Sequence, residues 1–460
     1  HFILQLSFIL DSTNQCAAVS VWNVERFHVR LQIYTYFVFM NIHFEPVRWS
    51  LNTNLYEVNL RQYSKEGTFR AFMNELPRLR DMGVQVLWFM PITPISLEKR
   101  LGTLGSYYAC SDYTDTNPEF GTIQQFRQLV NKAHDLGFKV IIDWVANHTG
   151  WDHKWTKSNP EFYKRNSEGL FYDNNGWHDV IDLNYYDQAM RKAMIDSMEF
   201  WVTECNIDGF RCDMAHLVPL DFWKQAREHL DNVKPLFWLA ETEDLNYQYV
   251  FDCSYAWNWM HVSESFAKKK TGVDELKSVL KDYQRKKLPH TNYLFFTSNH
   301  DENTWNGTEY EKYGNAALPF AVLTATWNGL TLVYSGQEMP NRKRLNFFEK
   351  DPIQWNWSNE LHDFYKTLLN LRSSFGEEQT EVLILNVAGD RNVLAFIKIS
   401  KSKQVFVLLN LSDAFQTVQL DDAIITGVMY KDIFTGQKHE ASSIKKLTLD
   451  PWTYFVFDKI

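Results

Sequence analysis

Positive charge is scarce in this chain: 47 Lys and Arg stand against 56 Asp and Glu, for a formal net charge of −9. No basic block interrupts that balance, which argues against a nucleic-acid partner, because phosphate binding needs clustered Lys and Arg. Cysteine is scarcer still. Cys16, Cys110, Cys205, Cys212 and Cys253 are odd in number and lack metal-ligand spacing. A chain this long does not depend on disulfide staples, so free and mostly buried thiols are expected. Cys212 neighbours Asp213, but strand alternation turns adjacent side chains to opposite faces, which argues against a cysteine nucleophile there. Long apolar runs are missing as well. Leu31–Ile42 is apolar and aromatic over 12 residues, short of the ~20 that span a bilayer, so no transmembrane segment is expected. Phe2–Leu10 is apolar but lacks the positive flank and small-residue cleavage site of a clear signal peptide. Residues 1–46 are set apart as an unassigned N-terminal segment, either a strand packed on the fold or sequence foreign to it. Cytoplasm, cell envelope and medium all stay open as locations.

What is present is apolar and strongly aromatic. Hydrophobic residues make up 45 % of the chain, including 17 Trp, 22 Tyr and 33 Phe. That is enough for a large core and excludes disorder. Aromatic faces also stack on the C–H faces of sugars, although most of these rings are expected in the core. From Leu51 onward, apolar runs read as strands at Leu55–Leu60, Val84–Met90, Lys139–Asp143, Ile207–Asp213, Phe237–Glu241, Phe251–Tyr255, Tyr293–Asn299 and Thr331–Ser335. Helical spacing appears between them, at Thr68–Met82, Thr122–Leu136, Ala189–Cys205, Leu220–Asn232, Val273–Arg285 and Asn315–Trp327, and after the last strand at Glu360–Ser374. Gly83, Gly137 and Gly329 stand where a left-handed helix end is wanted. Eight alternating units predict an α/β fold with parallel strands. Acidic residues at several different strand ends favour a closed (β/α)8 barrel over an open sheet.

Two stretches depart from that rhythm. Thr149–Asp187 is rich in Trp, Asn, Asp and Gly without a clear period. Beyond about residue 378 the runs are short, β-branched and aromatic, at Val382–Val387, Val393–Ser400, Gln404–Leu411, Thr417–Leu420, Gly427–Asp432 and Trp452–Phe457. They predict a small all-β sandwich. The domains are therefore read as a barrel over residues 47–377, with an insertion at 149–187, and a β-sandwich over 378–460.

Four segments carry the chemistry: Val140–His148 (VIIDWVANH), Gly209–Asp213 (GFRCD), Leu239–Glu241 (LAE) and Phe296–Asp301 (FTSNHD). Each puts acidic or imidazole side chains where an apolar run stops. Glu241 follows Asp213 by 28 residues and Asp301 follows Glu241 by 60, one and then two βα units, the spacing that brings all three to one barrel rim. Taken singly, Asp213 and Asp301 read as helix caps and Glu241 as a solvated loop acid. Together, the segments resemble the four signature regions of the α-amylase family of glycoside hydrolases (glycoside hydrolase family 13). The resemblance covers the chain from about Leu51 to the C-terminus. It implies a TIM barrel with three catalytic carboxylates: Asp213 as nucleophile, Glu241 as acid/base and Asp301 as the group that braces the transition state. It further implies that His148 and His300 bind sugar hydroxyls, that Asp143 organises the site, and that Tyr108 of Gly105–Asp112 (GSYYACSD) stacks under the reacting sugar, with Tyr107 as the alternative. Arg211 lies two residues before Asp213 and shares its strand face, where a permanent cation favours the ionised nucleophile. Asp213 and Asp301 are expected to raise the pKa of Glu241.

In the resembled family the 149–187 insertion is domain B, which walls the substrate cleft; its shortness here is closer to neopullulanase- and cyclomaltodextrinase-like members. Ser335–Glu338 (SGQE) resembles the motif after the family's eighth strand. His216 and Leu217 replace a Lys-His pair that in many members contacts the leaving-group side. No cofactor is required by this reading. Asn147 and Asp182 match positions that hold a structural calcium in large-lobed members, whereas Tyr63–Thr68 lacks the Asp/Asn-rich calcium pattern of some relatives. The expected activity is retaining hydrolysis of α-1,4 links in starch or maltodextrins. The alternatives are a neopullulanase, cyclomaltodextrinase, α-1,6-glucosidase or transglycosylase on the same fold, or an inactive glycan-binding or transporter-associated barrel. The intact carboxylate trio speaks against an inactive barrel.

Overall fold

A computed structural model describes residues 44–355, 360–388, 392–420, 425 and 429–460. The N-terminal runs Phe2–Leu10 and Leu31–Ile42, together with Cys16, lie outside the described residues. Eight parallel strands close into a barrel: β1 Asn54–Val58, β2 Val86–Phe89, β3 Lys139–Trp144, β4 Gly209–Cys212, β5 Phe237–Ala240, β6 Cys253–Tyr255, β7 Asn292–Phe295 and β8 Leu330–Tyr334. β8 returns to pair with β1 through Asn54 opposite Thr331. Leu55, Val86, Trp88, Ile141, Leu239 and Leu332 are among the side chains that pack the interior, so the barrel is a filled core and not a channel. In each strand every residue is buried, apart from the first of β3. Burial on both faces is why these strands read as continuous apolar runs.

The connections are less regular than the strands. The first predicted helix divides into Phe69–Phe72 and Leu76–Asp81. Pro77 lies at the start of the second piece, where its missing N–H and its ring prevent a continuous helix from running through. Helices Ile123–Asp135, Gln188–Cys205 and Leu220–Val233 agree closely with the prediction. Between β5 and β6 the chain makes only the 3-10 turn Leu245–Tyr249, and after β6 it forms two helices, Trp257–Ala267 and Val273–Lys286. The first of that pair is not among the predicted helices.

The insertion after β3 is built on a two-stranded antiparallel ribbon, His148–Gly150 against Val180–Asp182, with the short helix Lys154–Ser158 between them. The C-terminal region is all-β apart from the short helix Ala441–Ile444. A six-stranded and a three-stranded sheet enclose Val393, Ala395, Ile397, Phe406, Leu408, Val418 and Phe457. The alternate residues Leu394, Phe396, Val405 and Val407 face the other way and join a second core with Phe320, Leu323, Trp327 and Leu368 of the barrel's helical layer. Strands Lys438–Glu440 and Lys446–Leu449 have no counterpart among the predicted ones; their alternation is mostly polar, with few side chains fully buried.

Candidate active site

Each strand-end segment opens onto one pocket at the C-terminal rim of the barrel. The pocket has a volume of about 380 Å³ and is lined by Tyr108, His148, Asp213, Glu241 and Asp301, among others. Arg211 lies beneath it, fully buried. The guanidinium Nη1 contacts Asp143 Oδ1 and Asp213 Oδ1, both at 2.9 Å, and Nη2 lies 2.9 Å from Glu241 Oε2. Pairing of β3 with β4 puts Asp143 opposite Arg211, which is why a strand-interior arginine meets three carboxylates. The sequence pattern pairs Arg211 with Asp213 alone; in the structure it serves Asp143 and Glu241 as well.

The electrostatics come from burying these groups together. Burial raises Glu241 to about 7; Arg211 opposes that shift, while Asp213 and Asp301 add to it. The neighbouring carboxylates expected to raise it do contribute, but desolvation contributes more. Asp213 and Asp143 are each raised to about 6, again chiefly by burial and against the pull of Arg211. Asp301, only half-buried, goes the other way: against the desolvation it does feel, His300 holds it below its usual value. Burial would lower His300, but Asp301 and Glu57 outweigh it and hold the imidazole well above its ordinary pKa. His300 Nδ1 meets Glu57 Oε1 at 2.5 Å, and Nε2 lies 3.2 Å from Asp301 Oδ2. His148 is lowered by burial. It lies 3.2 Å from Asn147 Nδ2 and has Trp177 edge-on to its ring at 5.2 Å.

Tyr108 and Tyr107 part company. Tyr108 OH lies 2.7 Å from His300 Nε2 and donates to Asp143 Oδ2 at 3.2 Å, with its ring stacked on His300. Tyr107 instead donates to Asn59 Oδ1 and sits under the Arg61 guanidinium, away from the pocket lining. His216, in a 3-10 turn beyond Asp213, is exposed.

Several residues of this site carry no sequence motif. Glu57, within β1, orients His300; its one visible signal is an acid inside an apolar run. Met214 adopts φ 40°, ψ 47°, a left-handed geometry that non-glycine residues rarely take. In it, its N–H donates to Glu241 Oε2 at 2.8 Å, a case of local strain kept at a working site. Leu101, Trp177, Trp305, Phe347 and Phe348 complete the walls.

The residues matched to a calcium position do not fit that ion. Asp182 Oδ2 is paired with the Lys164 ammonium at 3.0 Å, and Asn147 turns its amide N–H, not its oxygen, toward Asp182 Oδ1. A cation therefore already neutralises Asp182. Among the described residues no group of three or more His, Cys, Asp or Glu is arranged to hold a metal ion. Nor is any helix among them long and apolar enough to cross a membrane.

Comparison with known proteins agrees with this fold. Residues 50–172 and 160–374 match the alpha amylase catalytic domain, and residues 384–456 match the maltogenic amylase C-terminal domain. Alpha-amylase MalA of Haloarcula japonica is 24 % identical over 87 % of this chain, which spans 60 % of that protein's length. Alpha-amylase 3 of Dictyoglomus thermophilum is 23 % identical, over 85 % of this chain and 90 % of its own. The crystal structure of a maltogenic alpha-amylase, AmyB from Thermotoga neapolitana, superimposes with a TM-score of 0.79 at 28 % identity, covering 90 % of this chain and 97 % of that one. An alpha-amylase from Lactobacillus plantarum gives 0.80 at 25 % identity, covering 90 % and 100 %. With the barrel, the rim pocket and a catalytic-domain match over most of its length, the chain belongs to the α-amylase family of glycoside hydrolases.

Proposed function

We propose that this protein is a retaining α-glucan hydrolase that cleaves α-1,4-glucosidic bonds of starch or maltodextrins. The observation that carries the reading is the grip of Arg211 on both Asp213 and Glu241. Two carboxyl groups on neighbouring nitrogens of one guanidinium favour the short separation, about 5 Å, used in retention. Asp213 attacks C1 of the bound sugar while Glu241 gives its proton to the departing glycosidic oxygen. The leaving chain departs as an alcohol, and the glycosyl unit stays as an ester on Asp213. Glu241, now a carboxylate, takes a proton from water, whose oxygen attacks C1 and frees Asp213. Asp301 and His300 hold the ring hydroxyls and brace the oxocarbenium-like transition state, His148 binds the same sugar, and Tyr108 stacks beneath it. Acid, nucleophile and brace are all side chains of this protein, so the chemistry calls for no cofactor.

The test is product analysis on soluble starch, pullulan, cyclodextrin and sucrose, with Asp213→Asn as control. Release from starch or maltodextrins that disappears in the variant supports the proposal. Preference for cyclodextrin or pullulan would favour the cyclomaltodextrinase or neopullulanase alternative, in keeping with the short insertion after β3. No release from any α-glucoside, or full activity in Asp213→Asn, would sink it.

A further inference from the structure

One wall of the catalytic pocket is stitched from three loops. Leu101, Trp305, Phe347 and Phe348 line it, coming from the segments after β2, β7 and β8. The Leu104 N–H donates to the Phe348 carbonyl at 3.1 Å, and the Thr103 N–H to Glu349 Oε1 at 2.8 Å. Behind them, the buried guanidinium of Arg61 donates to the carbonyls of Gly105 at 2.9 Å and Phe347 at 3.2 Å. On the β7 side, the Thr304 hydroxyl donates to the Leu345 carbonyl at 2.8 Å, and the Leu345 N–H to Asn303 Oδ1 at 2.9 Å. Contact across the seam is tight. Gly102 has φ +65°, and a Cβ there would stand 2.5 Å from Phe348 Cβ. The rings interlock, with Trp305 to Phe347 at 5.4 Å and Phe347 to Phe348 at 5.1 Å. Trp305 is 53 % exposed and Leu101 39 %, so their apolar surfaces are free to meet a sugar ring.

The chemistry decides which end of the substrate this wall faces, given the hydrolase reading on which this step rests. Glu241 protonates the leaving oxygen, so the departing chain lies on the side of Glu241 and Met214. The wall adjoins the groups that hold the attacked ring instead. Phe347 runs nearly parallel to Tyr108, 6.2 Å away and inclined by 12°, and Trp305 lines the same pocket as Asp301. The pocket volume of about 380 Å³ is near the lower end of the ~300–1,000 Å³ typical of ligand sites. We infer that the Leu101–Trp305–Phe347–Phe348 wall closes the cleft on the glycone side, so that the enzyme works from the non-reducing end of an α-glucan and releases a short saccharide of set length. Water takes up the glycosyl group from Asp213, and the product leaves with its anomeric configuration retained.

The experiment uses an aryl maltoheptaoside in two forms, one with a free non-reducing end and one with that end capped as a 4,6-acetal. The free form should be cleaved at least about 100-fold faster, a difference of the size set by a clash in the transition state. One short saccharide should dominate from the first time points, and starch viscosity should fall slowly relative to reducing ends formed. In Leu101→Ala/Phe348→Ala, checked for folding by its melting temperature, the capped substrate should gain about 10-fold or more and the products should lengthen. Equal cleavage of both forms by the wild-type protein, or unchanged selectivity in a folded double variant, overturns the wall and leaves the hydrolase reading standing. Failure to cleave either form or any α-glucan overturns the hydrolase reading, and the role of the wall with it.

Discussion

The rate-against-pH profile of kcat/KM tests the assignment of Asp213 and Glu241 directly, because the productive free enzyme needs the first ionised and the second protonated. Asp213 is raised to about 6 and Glu241 to about 7. The rising limb therefore falls near 6, where Asp213 loses its proton, and the falling limb near 7, where Glu241 loses its own. The maximum lies at about 6.5. With the limbs only about one unit apart, the productive form never exceeds roughly 60 % of the enzyme, and the rate drops about tenfold per pH unit well outside the limbs. The informative perturbation is Glu241→Gln, which imitates the protonated acid in size and charge but has no proton to give. On starch, kcat/KM should fall by about 10²–10⁴, roughly 3–5 kcal/mol of barrier. The falling limb should vanish, while the rising limb stays near 6 because Asp213 still faces a neutral neighbour. An aryl α-maltoside whose leaving group needs no protonation should lose far less. Initial rates on both substrates across pH 4–9 supply the readout. A falling limb that persists near 7 in the variant, or an equal loss on both substrates, would refute Glu241 as the acid.

Three other outcomes rest on the charge distribution. Arg211→Gln strands three buried carboxylates, so it should cost about 3–5 kcal/mol of stability and move the rising limb to higher pH, since the cation that lowers Asp213 is gone; thermal melting and the same pH profile check both. Chelator should leave the melting temperature within about 1 °C, because Lys164 already neutralises Asp182, whereas Lys164→Met should cost about 1–2 kcal/mol, the pair being partly exposed; a large chelator effect that added calcium reverses would contradict the role given to Lys164. Among the described residues, Lys398, almost fully buried where the C-terminal sheet meets the barrel's helical layer, has as its one hydrogen-bond acceptor the Trp327 carbonyl at 3.3 Å, shared with Arg372, and no carboxylate pairs with it. Burial, then Arg372 and Lys287, depress its pKa well below the usual value, so the unfolded chain binds the extra proton and stability rises with pH. Lys398→Met should therefore stabilise the protein by about 1–3 kcal/mol near neutral pH, an advantage that shrinks as pH approaches about 10, where the unfolded lysine also loses its proton; a destabilised variant, or a gain independent of pH, would rule this out.

The barrel was legible because its strands are buried on both faces and therefore spell out apolar runs. The C-terminal edge strands Lys438–Glu440 and Lys446–Leu449 have exposed or half-exposed polar positions and spell out little. Trp257–Ala267 was missed for a related reason. Its aromatic residues fall on both the buried and the half-exposed faces, so no 3.6-residue stripe stands out. Lys398 shows the converse case. In a two-sided sheet, alternation would send a lysine to water, but here the second face of the strand is covered by the barrel's helices, and nothing in the local spacing announces that layer.

The same division runs through the site. Asp213, Glu241, Asp301, His148 and His300 follow the ends of their own strands, so each is found by looking at the residues that close an apolar run. Glu57 is different: it contacts His300 from 243 residues away, a contact made only when the barrel closes β1 against β8, whose other neighbour is β7. The aromatic wall likewise depends on loops that are far apart in the chain and adjacent on the rim. Burial behaves in the same way, because the desolvation that raises Glu241 belongs to the assembled pocket and to no residue in particular. Residues proposed to perform the chemistry can therefore be found locally. Glu57 and the aromatic wall reach the pocket through long-range contacts, and only the closed barrel brings them together.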